Sequence, residues 1–448
     1  MSTISNDRQI YLILAAVFLD MVGVALVVPS LIFRWKEVGI SPEGLGAVTS
    51  IYSGAQLIGG LAFGYLGDRV LGRKDVLLIS FAGSAVSYAL VGFADSVALL
   101  AVSRVIVGLV KQTMTCANAL LTRLSSDATR AQTLGRLSSA TTLAFLSGQA
   151  IGGELSSRYG RRMPCYFASL LFLVNFALVA CFLPHDRPSG GAADGGGGES
   201  TGGGGGEPPA SPVPADFGGD APAAPPSWRA KLASRLGGFA SAFRGRGGRV
   251  LLLRLCYAFL MRSTYSLHAL YEQQRWEMDP KTTGYMSSYK QALGLGVDAL
   301  LVGVLSQRLG EVALIFLALV ASAGNAAFEA THGRFWLYAA INLPISAVAG
   351  NLNRTSLSAL FSKSVPKSDV GAALSVLDVL NSAIGIISPL YGGLLLGRLG
   401  VEYQPHISCV HYLTLLLCVS VLVAGEPPRE AEEDQEKREN DAKAKKSE

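Results

Sequence analysis

Long apolar stretches recur along the chain, each closed by a short polar break rich in Gly, Pro, Arg or Lys. A helix needs roughly 20 apolar residues to cross about 30 Å of hydrocarbon. Six stretches of that kind fall in the first half, at about 10–33, 44–67, 75–95, 97–121, 133–157 and 165–184. Six more follow, at about 249–272, 282–307, 311–331, 334–361, 369–397 and 406–425. The pattern predicts an all-α integral membrane protein with twelve transmembrane helices.

The spacing is also duplicated. GQAIGG with RYG (Gly148 to Gly160) matches SPLYGG with RLG (Ser388 to Gly400), so that Gly153 and Gly393, and Gly160 and Gly400, stand 240 positions apart. GYLGDRVLGRK, from Gly64 to Lys74, reads as a charged hairpin between spans 2 and 3. Its weaker echo, GVLSQRLGE, begins 239 positions later at Gly303. A repeat this regular predicts two pseudo-symmetric six-helix bundles, over 1–184 and 249–425. Between them, 185–248 is so rich in Gly, Pro, Ala and Ser that burial cannot offset chain entropy, which predicts a disordered linker. Two readings stand for its end, Trp228 to Phe243: a short amphipathic surface helix, or a solvated charged linker end. The last stretch, 426–448, is dense in Glu, Lys and Asp and reads as a charged tail.

Composition agrees with this picture. Half of the 448 residues are hydrophobic, 16% are charged and the mean hydropathy is +0.37. Soluble chains carry about 25% charged residues, so most of this surface faces lipid. The net charge of +5 lies largely in loops, where Lys and Arg orient membrane proteins, and does not point to nucleic acid. Six cysteines show no CxxC or metal spacing and read as small apolar packers. No cleavable secretory signal is evident in MSTISNDRQ. Twelve spans place both termini and the linker on one side. That side holds Arg69, Arg73, Lys74, Arg123, Arg130, Arg136, Lys363, Lys367 and the linker arginines. The other holds a lesser set, including Arg34, Lys36, Arg158, Arg161, Arg162, Arg275 and Lys281. The bias makes the termini cytosolic, once the linker is counted.

Six plus six helices, a long join and the charged 2–3 loop resemble the major facilitator superfamily, through Gly64, Asp68, Arg69, Gly72, Arg73 and Lys74. Val70 and Leu71 fill a space that normally holds one residue, so this loop is one residue longer. The resemblance implies a conformational-gating role for the loop, in which its acid caps an opposing helix N-terminus. FLDMVGVALVVPSL in span 1 is similar to the drug:proton antiporter branch, through Asp20, Gly23 and Pro29. SRVIVGLVKQTM in span 4 supplies Arg104, Gly108 and Lys111, and in the antiporters an arginine here is tied to proton coupling. Where the fifth span should hold Gly-Pro, this chain has Gly148-Gln149; span 11 keeps Pro389. With TTGYMSSY (Thr282 to Tyr289) and NRTS (Asn353 to Ser356), the resemblance covers nearly the whole chain apart from linker and tail.

Charge inside a membrane costs several kcal/mol unless paired or wet, so each such residue is a functional candidate. Asp20 lies near the middle of span 1. Arg104 and Lys111, seven apart, share one face of span 4. Asp20 can be the protonatable group, with Arg104 or Lys111 setting its affinity for the proton, or it can simply tie helices together. In the second half the cavity candidates are Arg262, Tyr289, Arg354 and Asp378, with Arg262 placed near Asp378. Lys290 and Asp298, eight apart on span 8, are expected to share a wet wall. Arg354 ranks above Lys290, because the resemblance also covers it. Arg254 is expected to snorkel to the interface, and His268 and Tyr271 to act as interface anchors. Gly148, Gly152, Gly153, Pro389, Gly392 and Gly393 are expected at close helix contacts or hinges.

No Walker A loop, HExxH or other cofactor or metal motif occurs, so ATP-driven pumping and catalysis are not expected. The sequence therefore predicts a monomeric secondary transporter, exchanging a small organic solute for protons by alternating access. The alternatives are a uniporter or proton symporter, or a receptor or scaffold built on the transporter fold.

Overall fold

The structure is a computed structural model, and it describes residues 6–185, 245–365 and 370–422. The first half consists of α1 (Asn6–Glu37), α2 (Pro42–Leu66), α3 (Arg73–Phe93), α4 (Val97–Val110), α5 (Thr113–Leu124), α6 (Asp127–Tyr159) and α7 (Met163–Phe182). The second consists of α8 (Gly245–Arg275), α9 (Pro280–Val297), α10 (Gly303–Arg308), α11 (Glu311–Thr331), α12 (Phe335–Leu337), α13 (Leu343–Ser364), α14 (Val370–Leu399) and α15 (Gln404–Leu422). Among the described residues these make twelve helical spans. Span 4 is α4 plus α5, span 8 is α9 plus α10, and span 10 is α12 plus α13. π-Helical turns at Asp298–Val302 and Tyr338–Asn342 join the pieces of spans 8 and 10. The readings made for the linker before Gly245 and for the charged tail lie outside the described residues. The helix of span 7 begins at Gly245, inside the stretch read as linker.

Local chemistry explains several boundaries. The Ser41 side chain accepts from the Gly44 N–H at 3.2 Å and opens α2, while the Asp279 side chain accepts from the Thr282 N–H at 2.9 Å and opens α9. Each is followed by proline at the first helical position. The stretch read as a hairpin, Gly64 to Lys74, is nearly all helical. Gly64 to Leu66 ends α2, Gly67–Leu71 is a π turn, and the Gly72 N–H reaches back five residues to the Gly67 carbonyl at 3.1 Å. A π turn absorbs one additional residue, and the extra position noted at Val70-Leu71 is accommodated that way. Only Gly72 breaks the helix, with a φ of +86°.

Two seams join the halves: α2 against α14, and α6 against α9. A Cβ placed on Gly46 would stand 2.4 Å from the Pro389 carbonyl oxygen, and one on Gly393 would stand 2.8 Å from that of Pro42. At the other seam, a Cβ on Gly153 would stand 2.7 Å from the Pro280 oxygen, and one on Gly284 would stand 2.5 Å from that of Gln149. Both contacts lie toward the end of the bundle opposite the chain termini. There Lys36 donates to Gln273, and Lys281 pairs with Glu154 at 3.2 Å. Among the described residues, eight helical stretches are long and apolar enough to cross a membrane by composition, and α8, bent by 42°, is a ninth when its two parts are taken as one span. Helices α2, α6 and α9 fall outside that set. Each packs at a seam, so part of its surface meets protein and cavity where the others meet lipid.

Candidate functional site

A cavity of about 690 Å³ lies between the halves, lined from α1, α2, α3, α4 and α5 on one side and α8 and α14 on the other. Asp20 stands behind its wall, fully buried, with its carboxylate on the Lys111 ammonium. The chain makes this contact possible by breaking span 4 at Lys111-Gln112, where Lys111 adopts ψ 85°. The Ser80 hydroxyl accepts from the freed Gln112 N–H at 3.2 Å and contacts the Thr113 hydroxyl at 3.2 Å, satisfying the break from α3. The ammonium also lies 4.6 Å from the Phe172 ring centroid. Of the two bases considered for Asp20, the geometry takes Lys111.

Arg104 faces the cavity separately. Its guanidinium lies 5.4 Å from the Tyr88 ring centroid, and Nη2 is buried with no partner. Arg262, from the other half, lines the same cavity and donates from Nη1 to the Asn381 carbonyl at 2.9 Å. Asp378 lines it too, without an ion pair to Arg262, and its charge acts on Arg254. Arg254 is half-buried, with its guanidinium 5.8 Å from the Phe361 ring centroid.

A second cavity of about 630 Å³ lies toward the end opposite the termini, and a 260 Å³ space shares Tyr52, Tyr88 and Arg104 with the first and Leu31, Trp35 and Thr49 with the second. It contains a cluster of charged groups that the sequence reading missed. Buried Glu272 accepts from Lys290, from the Tyr338 hydroxyl and from His268 Nε2, the last at 3.1 Å. Glu329 faces the same space with Oε1 buried and unpartnered. Behind it, His332 Nε2 meets Asn342 Oδ1 at 2.7 Å, and Asn342 donates to Asn325 Oδ1 at 3.1 Å. The available signal was His268 and Glu272, spaced i,i+4 on one face near the end of an apolar run.

Several expected placements differ. His268 lines the cavity beside Glu272, and Tyr271 is buried, so neither is an interface anchor. Tyr289 is part-exposed and lines none of the three cavities; its neighbour Lys290, one position round the helix, does. Lys290 and Asp298 do not share a wall, because Asp298 pairs instead with Arg354 at 3.1 Å. Arg354 is 65% exposed and lies outside all three cavities.

In the 2–3 stretch, Lys74 is buried and donates to the carbonyls of Ala180 and Leu183 at 3.0 and 2.5 Å, capping the end of α7. Arg34 acts similarly at the opposite end, donating to the carbonyls of Val91 and Ala94 at the end of α3. Arg69 is exposed, with its guanidinium 6.0 Å from the Tyr65 ring centroid. Arg73 opens α3 near Gly67, Gly64 has open space around it, and the Asp68 side chain lies outside the described residues. Gly148 and Gly152 meet α1 at Ala25 and Leu26, and Gly392 meets the Ser263 carbonyl of α8.

The Major Facilitator Superfamily profile matches residues 13–352. The chain belongs to the Major Facilitator Superfamily. It is 24% identical over 412 residues to the class G tetracycline resistance protein of Vibrio anguillarum, covering 91% of this chain and 95% of that one. It is 29% identical over 181 residues to the quinolone resistance protein NorA of Staphylococcus aureus, covering 40% of this chain and 46% of that one. In structure it is similar to the nucleoside transporter NupG (D323A mutant), with a TM-score of 0.71 at 14% identity, over 94% of this chain and all of that one. As a superfamily member with this fold, the protein is a multi-pass membrane protein and a secondary transporter of a small solute.

Proposed function

We propose that the protein is a proton-coupled antiporter of a small organic solute, working by alternating access as a monomer with both termini in the cytosol. The observation supporting this most directly is the Asp20–Lys111 pair at the broken point of span 4, behind the wall of the larger cavity. A carboxylate held by one ammonium inside a membrane has two stable arrangements. Ionised, it holds Lys111; protonated, it loses the Coulomb attraction and releases it. Lys111 lines the cavity, so protonation of Asp20 changes the charge that the cavity presents to the solute and links proton binding to solute binding through one shared group.

The seams favour a direction. Gly46 with Gly393 and Gly153 with Gly284 hold the halves together at the end opposite the termini. This arrangement fits a state open toward the termini, the cytosolic side under the charge bias of the loops. The similarity to the tetracycline and quinolone resistance proteins fits antiport of an organic solute.

The test is flux into vesicles containing purified full-length protein and a trapped pH indicator, challenged with a panel of small organic solutes. At least one solute should drive proton movement in the opposite direction, and Asp20→Asn should abolish that movement. Solute flux with no accompanying proton movement would leave a uniporter. Unchanged coupling in Asp20→Asn would remove Asp20 from the mechanism.

A further inference from the structure

We infer that the larger cavity binds a small organic anion, with its carboxylate, sulfonate or phosphate held between Arg104 of one half and Arg262 of the other. The inference rests on reading this cavity as the solute path, and it adds the chemical class of the solute.

Charge accounting leads there. The ionisable groups of opposite or like sign lining the cavity are Arg104, Lys111, Arg262 and Asp378. Lys111 is already neutralised by Asp20. Asp378 forms no ion pair with either arginine among the described residues, and the charge it acts on is Arg254. Arg104 and Arg262 are therefore left with neutral partners only: the Tyr88 ring and the Ser103 hydroxyl for one, the Asn381 carbonyl for the other. Arg104 Nη2 has no partner at all.

A guanidinium without a counter-charge within a membrane span is unfavourable unless something anionic or wet meets it; Arg104 is partly buried, and Arg262 is exposed to the cavity. A planar fork of N–H donors matches an oxyanion in pairs, which a lysine does not reproduce. The remaining wall suits an amphipathic body. Met21, Val24, Leu57 and Met114 are apolar, while Tyr52 and Gln56 offer further donors. An organic cation would meet two like charges here and only one carboxylate.

The position of the two arginines adds a mechanical consequence. Arg104 is on α4 of the first half and Arg262 on α8 of the second, so one oxyanion bound by both bridges the halves and favours the state in which they draw together around it.

The test is equilibrium binding to the purified full-length protein in detergent, read as a shift in unfolding temperature with four isosteric probes: benzoate, benzenesulfonate, benzamide and benzylammonium. At least one of the two anions should raise the unfolding temperature in a saturable manner, while benzamide and benzylammonium should not. Arg104→Gln and Arg262→Gln should each weaken that anion at least tenfold, with Arg262→Lys falling between wild type and Arg262→Gln. The unliganded unfolding temperature of each variant separates loss of binding from loss of fold. For a variant too unstable to measure, protection of the wild-type arginines from phenylglyoxal by the anion replaces it, and protection is the expected result. Stabilisation by benzylammonium at least equal to that by the anions, no shift with either anion, or anion shifts unchanged in both glutamine variants would overturn the inference. Saturable anion binding without flux in vesicles would sink the transport reading while leaving the anion site standing.

Discussion

Gly392 packs so tightly against Ser263 that a Cβ on the glycine would stand 1.6 Å from the serine carbonyl oxygen. This is main-chain contact between α14 and α8, with no flexible side chain able to move aside. Gly392→Ala should therefore force the helices apart and destabilise the protein by at least about 1–3 kcal/mol. Gly64→Ala is the control, since nothing lies within 4 Å of that position. Unfolding temperatures in detergent should fall for the first and not for the second. Equal effects would mean that the α14–α8 contact relaxes easily.

The two carboxylates of the second cavity should respond in opposite ways. Glu272 accepts from Lys290, Tyr338 and His268, so Glu272→Gln leaves a part-exposed ammonium facing a neutral amide. Breaking one side of a buried pair costs about 3–5 kcal/mol, and the partial exposure of Lys290 places the expected loss at the lower end. Glu329 has its Oε1 buried and unpartnered, and only the charges of His268, Lys290 and His332 oppose the cost of its burial, so Glu329→Gln removes a charge that is incompletely compensated. It should leave thermal stability unchanged or raise it. A large loss of stability in Glu329→Gln would show that those three basic groups stabilise the carboxylate by more than its burial costs.

How far the sequence could be read follows from what each signal depends on. Span limits depend on the length of apolar runs, and most observed helix ends fall within a few residues of those expected. Close helix contacts depend on glycine, and Gly153 and Gly393 stood out because the duplication aligns them. Asp20 stood out because it interrupts an apolar run, but its partner was open between Arg104 and Lys111. Seven residues apart on an unbroken helix, the two share a face; only the break at Lys111-Gln112 separates their directions. The Glu272 cluster was missed for a related reason. Glu272, Lys290, Glu329 and Tyr338 come from four different spans, and a polar residue near the end of an apolar run reads equally well as facing water. Tyr289 and Lys290 show the same limit at single-residue scale, since a helical step of about 100° decides which of the two meets the cavity.

Outside the membrane spans, Asp279 gives a pH-dependent cap. The Thr282 side chain and then its N–H hold the Asp279 carboxyl below its ordinary value near 3.8. A depressed folded value means that stability is present above the unfolded value and is lost as pH falls through the folded one. Asp279→Ala should lower stability by about 1 kcal/mol at neutral pH. Asp279→Asn keeps an acceptor for the Thr282 N–H without a titrating charge. Its stability should lie close to wild type at neutral pH and should not decline through this group below about pH 4. Thermal unfolding of the two variants at pH 7 and near pH 3.5 checks both expectations, and identical acid sensitivity of wild type and Asp279→Asn would remove the cap from the pH response.

The pair at the broken span lends itself to a double-mutant cycle. Asp20→Asn alone leaves the Lys111 ammonium buried beside an amide, and Lys111→Met alone leaves the Asp20 carboxylate buried beside a thioether. Each should cost about 3–5 kcal/mol, because an uncompensated charge in low dielectric is the dominant penalty. Asp20→Asn with Lys111→Met removes both charges and fills a similar volume. Its unfolding temperature should return most of the way to wild type, giving a coupling energy of about 3 kcal/mol or more. Proton-coupled flux should stay absent in all three variants, because recovery of the fold restores no titrating group. Flux that returned along with stability in the double variant would assign the pair to holding α1 against span 4, and the proton site would have to be sought among Asp378, Glu272 and Glu329.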